Sequence, residues 1–337
     1  MAKYIYQTTQ WQNFWLKTKD KKHFCAEFNS HNFEIKFYQY PWILNQKIWF
    51  LPAGPVYQKP LEPSKKDQIL TDLVGFLGDL KDFAKKNKIS VLKLYFDWEF
   101  SRFMDLKSQS DGLTLLKKLD SKFWVKGRKS FMYQQIMQLA TDELNIANPK
   151  FNLDNDFLSN FFKSNQSFWL QRNKTIRNQT KRSLSNNWNL ETLKSPENIQ
   201  ESYKILLQTS ARQGFNIPSK EYFIELAKQD FSYFWLLKNS EQKVVGCWIG
   251  LGLGDRLVNL YGGNTPESFV GFGPNYLHLA GLALCKHLGF KYYDFGGYNQ
   301  TETTAKFKDG YKGEVVNFVG NLNIGIGILG KALSLFC

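Results

Sequence analysis

The sequence predicts an α/β protein in which one arrangement of mixed sheet and helix is built twice. Three observations carry this. Runs at 24–28, 33–40 and 48–57 are rich in aromatic and β-branched residues, and turn formers separate them: Asn29-Ser30-His31-Asn32 after the first, and Pro52, Gly54 and Pro55 within the last. A helix follows, with apolar residues at Ile69, Leu70, Leu73, Val74, Leu77, Leu80 and Phe83, the spacing that puts them on one helical face. Ser64 followed by Asp67 reads as its capping box. A strand at 89–96 closes the set. The same order then recurs. Strand-like runs at 234–237, 244–251 and 257–261 lead to a helix opened by Pro274, carrying Leu277, Ala280 and Leu284 and stopped by Gly289, before a strand at 290–295.

A strand–helix–strand unit implies parallel neighbours in at least part of each sheet. The pattern suits the acyltransferase fold of N-acetyltransferases, duplicated in tandem, with mixed sheets in both copies. Pro149 is a natural boundary, so the expected domains are 1–148 and 149–316, with 317–337 returning to the first. Between the copies lies a polar helical region. Ser195-Pro196 starts one helix, with proline at the first helical position, and Gly214 ends it after Arg212-Gln213. No sustained heptad repeat is present.

The 337 residues are 43% hydrophobic and 16% aromatic, enough for substantial cores, and the formal net charge is +14. That balance favours anionic partners such as nucleic acid, phosphorylated metabolites or anionic lipid, although a lysine-rich solvated surface explains it equally. Cys25, Cys247, Cys285 and Cys337 form no C-x-x-C pair and read as reduced thiols of a cytoplasmic protein. The first residues carry no apolar run of the signal-peptide kind, and no stretch reaches the ~18 apolar residues that span a bilayer. The apolar tail at 322–337 could touch a membrane surface or pack as a terminal strand and helix.

Conventional catalytic signatures are missing. His23, His31, His278 and His287 make no H-E-x-x-H and sit beside no cysteine at ligand spacing, so no metal site is expected. There is no G-x-S-x-G and no Walker A loop. Gly250-Leu251-Gly252-Leu253-Gly254 precedes another strand and not a helix, which makes it a hairpin turn.

Three segments are richer. Tyr261-Gly262-Gly263-Asn264 and then Gly271-Phe272-Gly273-Pro274-Asn275-Tyr276 lead from a strand end into a helix N-terminus, where amide groups suit a phosphate or a developing oxyanion; an ordinary βα turn accounts for them as well. Tyr292-Tyr293-Asp294-Phe295-Gly296-Gly297-Tyr298 ends a strand in two glycines, which lets a ligand approach the backbone. Thr304 to Gly313 is basic, aromatic and glycine-bearing. A fixed ammonium there could stabilise an oxyanion or a phosphate, or the segment could be a solvated loop.

Together these segments resemble the FemABX family, the non-ribosomal peptidyl transferases of peptidoglycan, over nearly the whole chain. Gln7 and Trp11 match its Q-x-x-x-W, and Pro52-Ala53-Gly54-Pro55 its P-x-G-P. Arg172, Ile176, Arg177 and Lys181 are similar to its R-x-x-I-R-x-x-x-K helix. Thr209–Phe215 resembles the segment with a substrate-binding arginine. Tyr293-Asp294-Phe295-Gly296-Gly297 and Phe307-Lys308-Asp309-Gly310-Tyr311 resemble its Y-D-x-x-G and F-K-x-x-F signatures. Tyr311 replaces the usual phenylalanine, Lys306 stands where arginine is commoner, and Asp97 lacks the proline that often follows. The absent coiled-coil arm is similar to the smaller members.

The resemblance implies transfer of an amino acid from aminoacyl-tRNA to the stem-peptide amine of a UDP-linked or lipid-linked precursor, without cofactor or metal. It implies Lys308 as the charge that stabilises the tetrahedral intermediate and Phe307 as the residue that positions the terminal adenosine. Arg212 and Tyr261 would contact the diphosphate and sugar, with Asn275, Gly296, Gly297, Tyr298 and Asp97 completing the substrate site. Lys174, Arg177 and Lys181 share a helical face and with Lys306 would meet tRNA phosphates, or form a solvated surface. The expected location is cytoplasmic or peripheral at the inner membrane face. Competing readings are a CoA-dependent N-acyltransferase, a tRNA-dependent protein N-terminal aminoacyltransferase, and a non-catalytic nucleic-acid- or envelope-binding protein.

Overall fold

The computed structural model describes residues 5–19, 24–41, 46–96, 98–106, 109–119, 124–126, 135–146, 153–192, 194–298, 303–320 and 322–335. Strand β1 (Phe24–Ser30) turns tightly into β2 (Phe33–Pro41). His31 and Asn32 both have positive φ, 47° and 62°, the backbone a two-residue hairpin turn needs to match strand twist. β3 (Lys47–Leu51) pairs antiparallel with β2, and the short β4 (Val56–Tyr57) also pairs with β2. The helix Lys66–Lys86 then carries the chain back to β5 (Val91–Leu94), which lies parallel to β3. Ser64 does not cap that helix. Pro63, Ser64 and Lys65 form a 3-10 turn, and the cap position falls to Lys65, which makes no side-chain bond. Proline presets a helical φ, so the chain is already winding at Ser64.

The helix buries Ile69, Leu73, Phe76, Leu80 and Ala84 against Phe33, Ile35, Phe37 and Trp49 of the sheet, each large side chain contributing about 1.5–3 kcal/mol. Phe37 and Trp49 stack with centroids 4.0 Å apart. The sheet continues through β6 (Trp124–Lys126) and β14 (Leu322–Gly325) in the order β1-β2-β3-β5-β14-β6. β14 is antiparallel to both of its neighbours.

The second sheet has the order β13-β7-β12-β11-β10-β9-β8. Its strands are β7 (Gln135–Ala140), β8 (Asn189–Glu191), β9 (Ser232–Lys238), β10 (Val244–Leu253), β11 (Arg256–Asn264), β12 (Tyr292–Gly297) and β13 (Glu314–Asn317). β9, β10 and β11 form an antiparallel meander, the helix Gly273–His287 follows, and β12 returns parallel to β11. That helix is apolar on nearly every side and buried almost throughout, as befits an element packed on all faces. Ser195 accepts a bond from the Asn198 amide to cap Pro196–Gln213, which Gly214 closes at φ 73°.

The chain divides into two units, Met1–Gln135 with Val316–Cys337, and Ile136–Val315. β7 therefore lies mostly in the second unit although it precedes residue 148, because it pairs with β12. Both units repeat three antiparallel strands, a helix and a parallel strand, so the fold is α/β with two mixed sheets built in tandem on one plan.

Candidate functional site

The second sheet opens at its centre. β11 and β12 pair only at Arg256–Tyr292, Leu257–Tyr293 and Val258–Asp294, after which the strands part. Two local features force this. Asp294 is fully buried and its Oδ1 accepts the Gly296 amide at 2.7 Å, bending the chain so that Gly296 sits at φ 76°. A Cβ at Gly296 would lie 2.9 Å from the Asn259 carbonyl oxygen of β11, so glycine is required by both conformation and space. Buried Arg256 holds the closed end: its Nε meets Asp255 at 3.1 Å and its terminal nitrogen donates to Gln138 at 2.9 Å, with Asp294 at 3.9 Å.

Lys308 stands at the open end of β12. It lies on the helix Thr303–Asp309, half-buried, and its ammonium donates to the Gly297 carbonyl. Tyr298, whose hydroxyl donates to Asp309 at 2.6 Å, ties the same helix to the strand. Beside Lys308 is His278, which the sequence reading passed over. Its Nδ1 is 2.8 Å from the Tyr293 hydroxyl, and the rings of Phe295, Phe307 and Tyr311 lie 4.9, 5.4 and 6.0 Å from its own. Burial, reinforced by the Lys308 charge, pushes its pKa down to about 3. The imidazole is therefore neutral at physiological pH. A histidine set in the apolar middle of this helix, Leu277-His278-Leu279-Ala280, was the sequence signal for it.

The basic helix joins this site. The Asn173 amide donates to the Gly310 carbonyl at 2.9 Å, and Ile176 fills the space against Gly310. On the helix Lys174–Ser183, Ile176, Thr180 and Ser183 face inward while Lys174 and Lys181 are exposed. Arg177 is half-buried and donates to the Leu170 carbonyl at 3.2 Å. Arg172 is buried over the Phe168 ring at 3.9 Å, so it serves packing. Lys306 is exposed, and Phe307 is half-buried against the core.

Arg212 and Tyr261 belong to the other side of the opening, on or against β11. Arg212 ends its helix, donates to the Asn264 carbonyl at 3.2 Å and lies over Phe269 at 5.3 Å. Tyr261 meets the Phe223 ring edge-on at 5.2 Å. Asn275 is only 3% exposed, and its amide nitrogen, the Tyr311 hydroxyl and the Thr180 hydroxyl converge, each without a partner in hydrogen-bond geometry. Asp97 lies outside the described residues.

Two glycines of the segments that lead into the helix Gly273–His287 serve packing. A Cβ at Gly263 would come within 2.7 Å of Ile205, and Gly271 makes room for the Trp188 ring. The first turn of the helix Gly273–His287 is a poor anion cradle. Asn275 and Tyr276 donate their amides to the Phe272 carbonyl at 3.0 and 3.2 Å, and Pro274 has no N–H, so at most the Gly273 amide is left. In the first unit the Gln7 side chain spans two strands, donating to the Lys36 and Pro52 carbonyls and accepting the Lys36 amide at 2.7 Å. Gly54 packs on Ile35. Both signatures there hold the fold. Burial pushes the Cys25 thiol up to about 11 and those of Cys247 and Cys285 up to about 12, so none supplies a thiolate.

No family model and no curated protein matches the sequence. Among solved structures, the chain is similar to FemX, at 13% identity and a TM-score of 0.69 over 98% of this chain and 94% of that one. It is also similar to a conserved protein of unknown function from Bacteroides thetaiotaomicron, at 12% identity and a TM-score of 0.53 over 94% and 89%. In fold, the chain is thus similar to FemX over essentially its whole length, with two mixed α/β sheets in tandem.

Proposed function

We propose that this protein is a FemABX-type aminoacyltransferase that moves an amino acid from aminoacyl-tRNA to the stem-peptide amine of a peptidoglycan precursor. The observation that carries this is the placing of Lys308 at the parted end of β12, its ammonium on the Gly297 carbonyl and a neutral imidazole beside it, in a FemX-like fold.

The acceptor amine attacks the ester carbonyl of the aminoacyl-tRNA, and a C–N bond forms. Negative charge develops on the carbonyl oxygen, where the Lys308 ammonium stabilises it. The ester C–O bond then breaks, the ribose oxygen leaves, and the proton lost by the amine ends on that oxygen. The ester is already activated, so the demand on the protein is to hold two anionic substrates in near-attack geometry. Arg212, able to bond a phosphate twice, and Tyr261 bind the precursor. Gly296, Gly297, Tyr298 and Asn275 complete the substrate site. Phe307 stacks on the terminal adenosine. Lys174, Arg177, Lys181 and Lys306 contact the tRNA backbone. The single remaining amide at the start of the helix Gly273–His287 disfavours a CoA pyrophosphate.

The test is transfer of labelled amino acids from a mixed charged tRNA pool to UDP-linked pentapeptide and to its lipid-linked form. Label in either acceptor is expected. Lys308→Ala should lower the rate about 10²–10³-fold with folding intact. No transfer by well-folded protein, or full activity in that variant, would overturn the proposal or its site.

A further inference from the structure

The C-terminal helix Gly327–Ser334 leaves most of its large apolar side chains in solvent. Its inward side carries Gly330, Ser334 and one large apolar residue, Leu333, which packs on Ile48 and Val91. Gly330 lies against the Ser90 carbonyl, where a Cβ would collide, and the Ser334 carbonyl accepts from buried Asn323 at 3.0 Å. Its other large apolar side chains point out: Ile328 is 92% exposed, and Leu329 and Leu335 towards its two ends are 47% and 50% exposed. A helix on a water-facing surface turns such residues inward, and clustered exposed aliphatics mark an interaction surface.

The surroundings are cationic. The Ile326 amide donates to the Ser90 carbonyl at 2.8 Å and the Ser90 amide to the Lys47 carbonyl at 3.0 Å, so the start of this helix, the chain leaving the helix Lys66–Lys86 and the start of β3 lie at the same end of the sheet. Lys47, Lys85, Lys86, Lys88 and Lys331 are all exposed. The stretches 46–61, 83–96 and 315–335 contain no Asp or Glu. Among the described residues no helix is long and apolar enough to cross a membrane.

We propose that this face docks on an anionic lipid surface, Ile328, Leu329 and Leu335 entering the interface and the lysines meeting the headgroups. Apolar insertion and polybasic attraction are the two signals that together give stable peripheral attachment. The inference is independent of the transfer reading, since lipid binding is read without either substrate.

The experiment is co-sedimentation of the full chain with vesicles of phosphatidylcholine and phosphatidylglycerol in equal parts, and with phosphatidylcholine alone. Binding to the mixed vesicles is expected, weaker on the neutral ones and weakened by salt. Ile328→Ser with Leu329→Ser and Leu335→Ser should lower it at least tenfold, and each of Lys85→Gln, Lys86→Gln and Lys88→Gln by about fivefold, with circular dichroism unchanged. Equal binding by the apolar triple variant would overturn the proposal. So would no binding by the wild type, or self-association of the wild type that the triple variant abolishes, which would make the face a contact between copies.

Discussion

The neutral imidazole beside Lys308 makes a quantitative prediction. His278 has an ordinary pKa near 6.5 when unfolded and about 3 in the folded chain, lowered first by burial and then by the Lys308 ammonium. A histidine depressed in this way binds fewer protons folded than unfolded. Its contribution to stability is therefore fully present above pH ~6.5 and is lost as pH falls towards ~3. Stability falls by about 1.4 kcal/mol per pH unit inside that window, so lowering pH from 7 to 5 costs about 2 kcal/mol through this one group. His278→Gln removes the titration while keeping a side chain that can bond Tyr293. The assay is denaturant unfolding at both pH values, wild type against variant. The wild type should lose about 2 kcal/mol more than the variant on acidification. Equal losses, or an imidazole that titrates near its ordinary value by NMR, would refute the burial argument and with it the uncharged neighbour of Lys308.

Other predictions are independent of that group. Gly296→Ala places a Cβ 2.9 Å from the Asn259 carbonyl oxygen at φ 76°; it should cost about 1–3 kcal/mol in thermal or denaturant unfolding and reduce transfer. Gln7→Ala leaves the Lys36 amide and two carbonyls without their partner, so a loss of about 1–3 kcal/mol is expected in the first unit, measured by hydrogen exchange at β2. Lys174→Ala with Lys181→Ala should weaken tRNA binding and flatten its logarithmic salt dependence by about 1–2 in slope, without changing the melting temperature. An unchanged slope would make that exposed face a solvated surface.

Much of the fold was legible because local chemistry and periodicity agree. The Ser195-Pro196 start and the Gly214 stop of one helix fell where their side chains and φ dictate, and the helix after β11 showed its apolar character residue by residue. The capping box at Ser64 was misread because Pro63 winds the chain a turn early. The membership of β7 was not legible, since strand partners far apart in sequence leave no local trace.

At the site, the sequence determined the residue types: a lysine between aromatic residues, a glycine pair after an aspartate, and a basic helical face. Tertiary structure decided their work. It assigned Asp294 to bending β12, Gly263 and Gly271 to packing, Arg172 to the Phe168 ring, and His278 to the side of Lys308. The physical reason is that residue spacing fixes which side chains share an element's face, whereas desolvation, close approach and charge pairing arise only when separate elements meet.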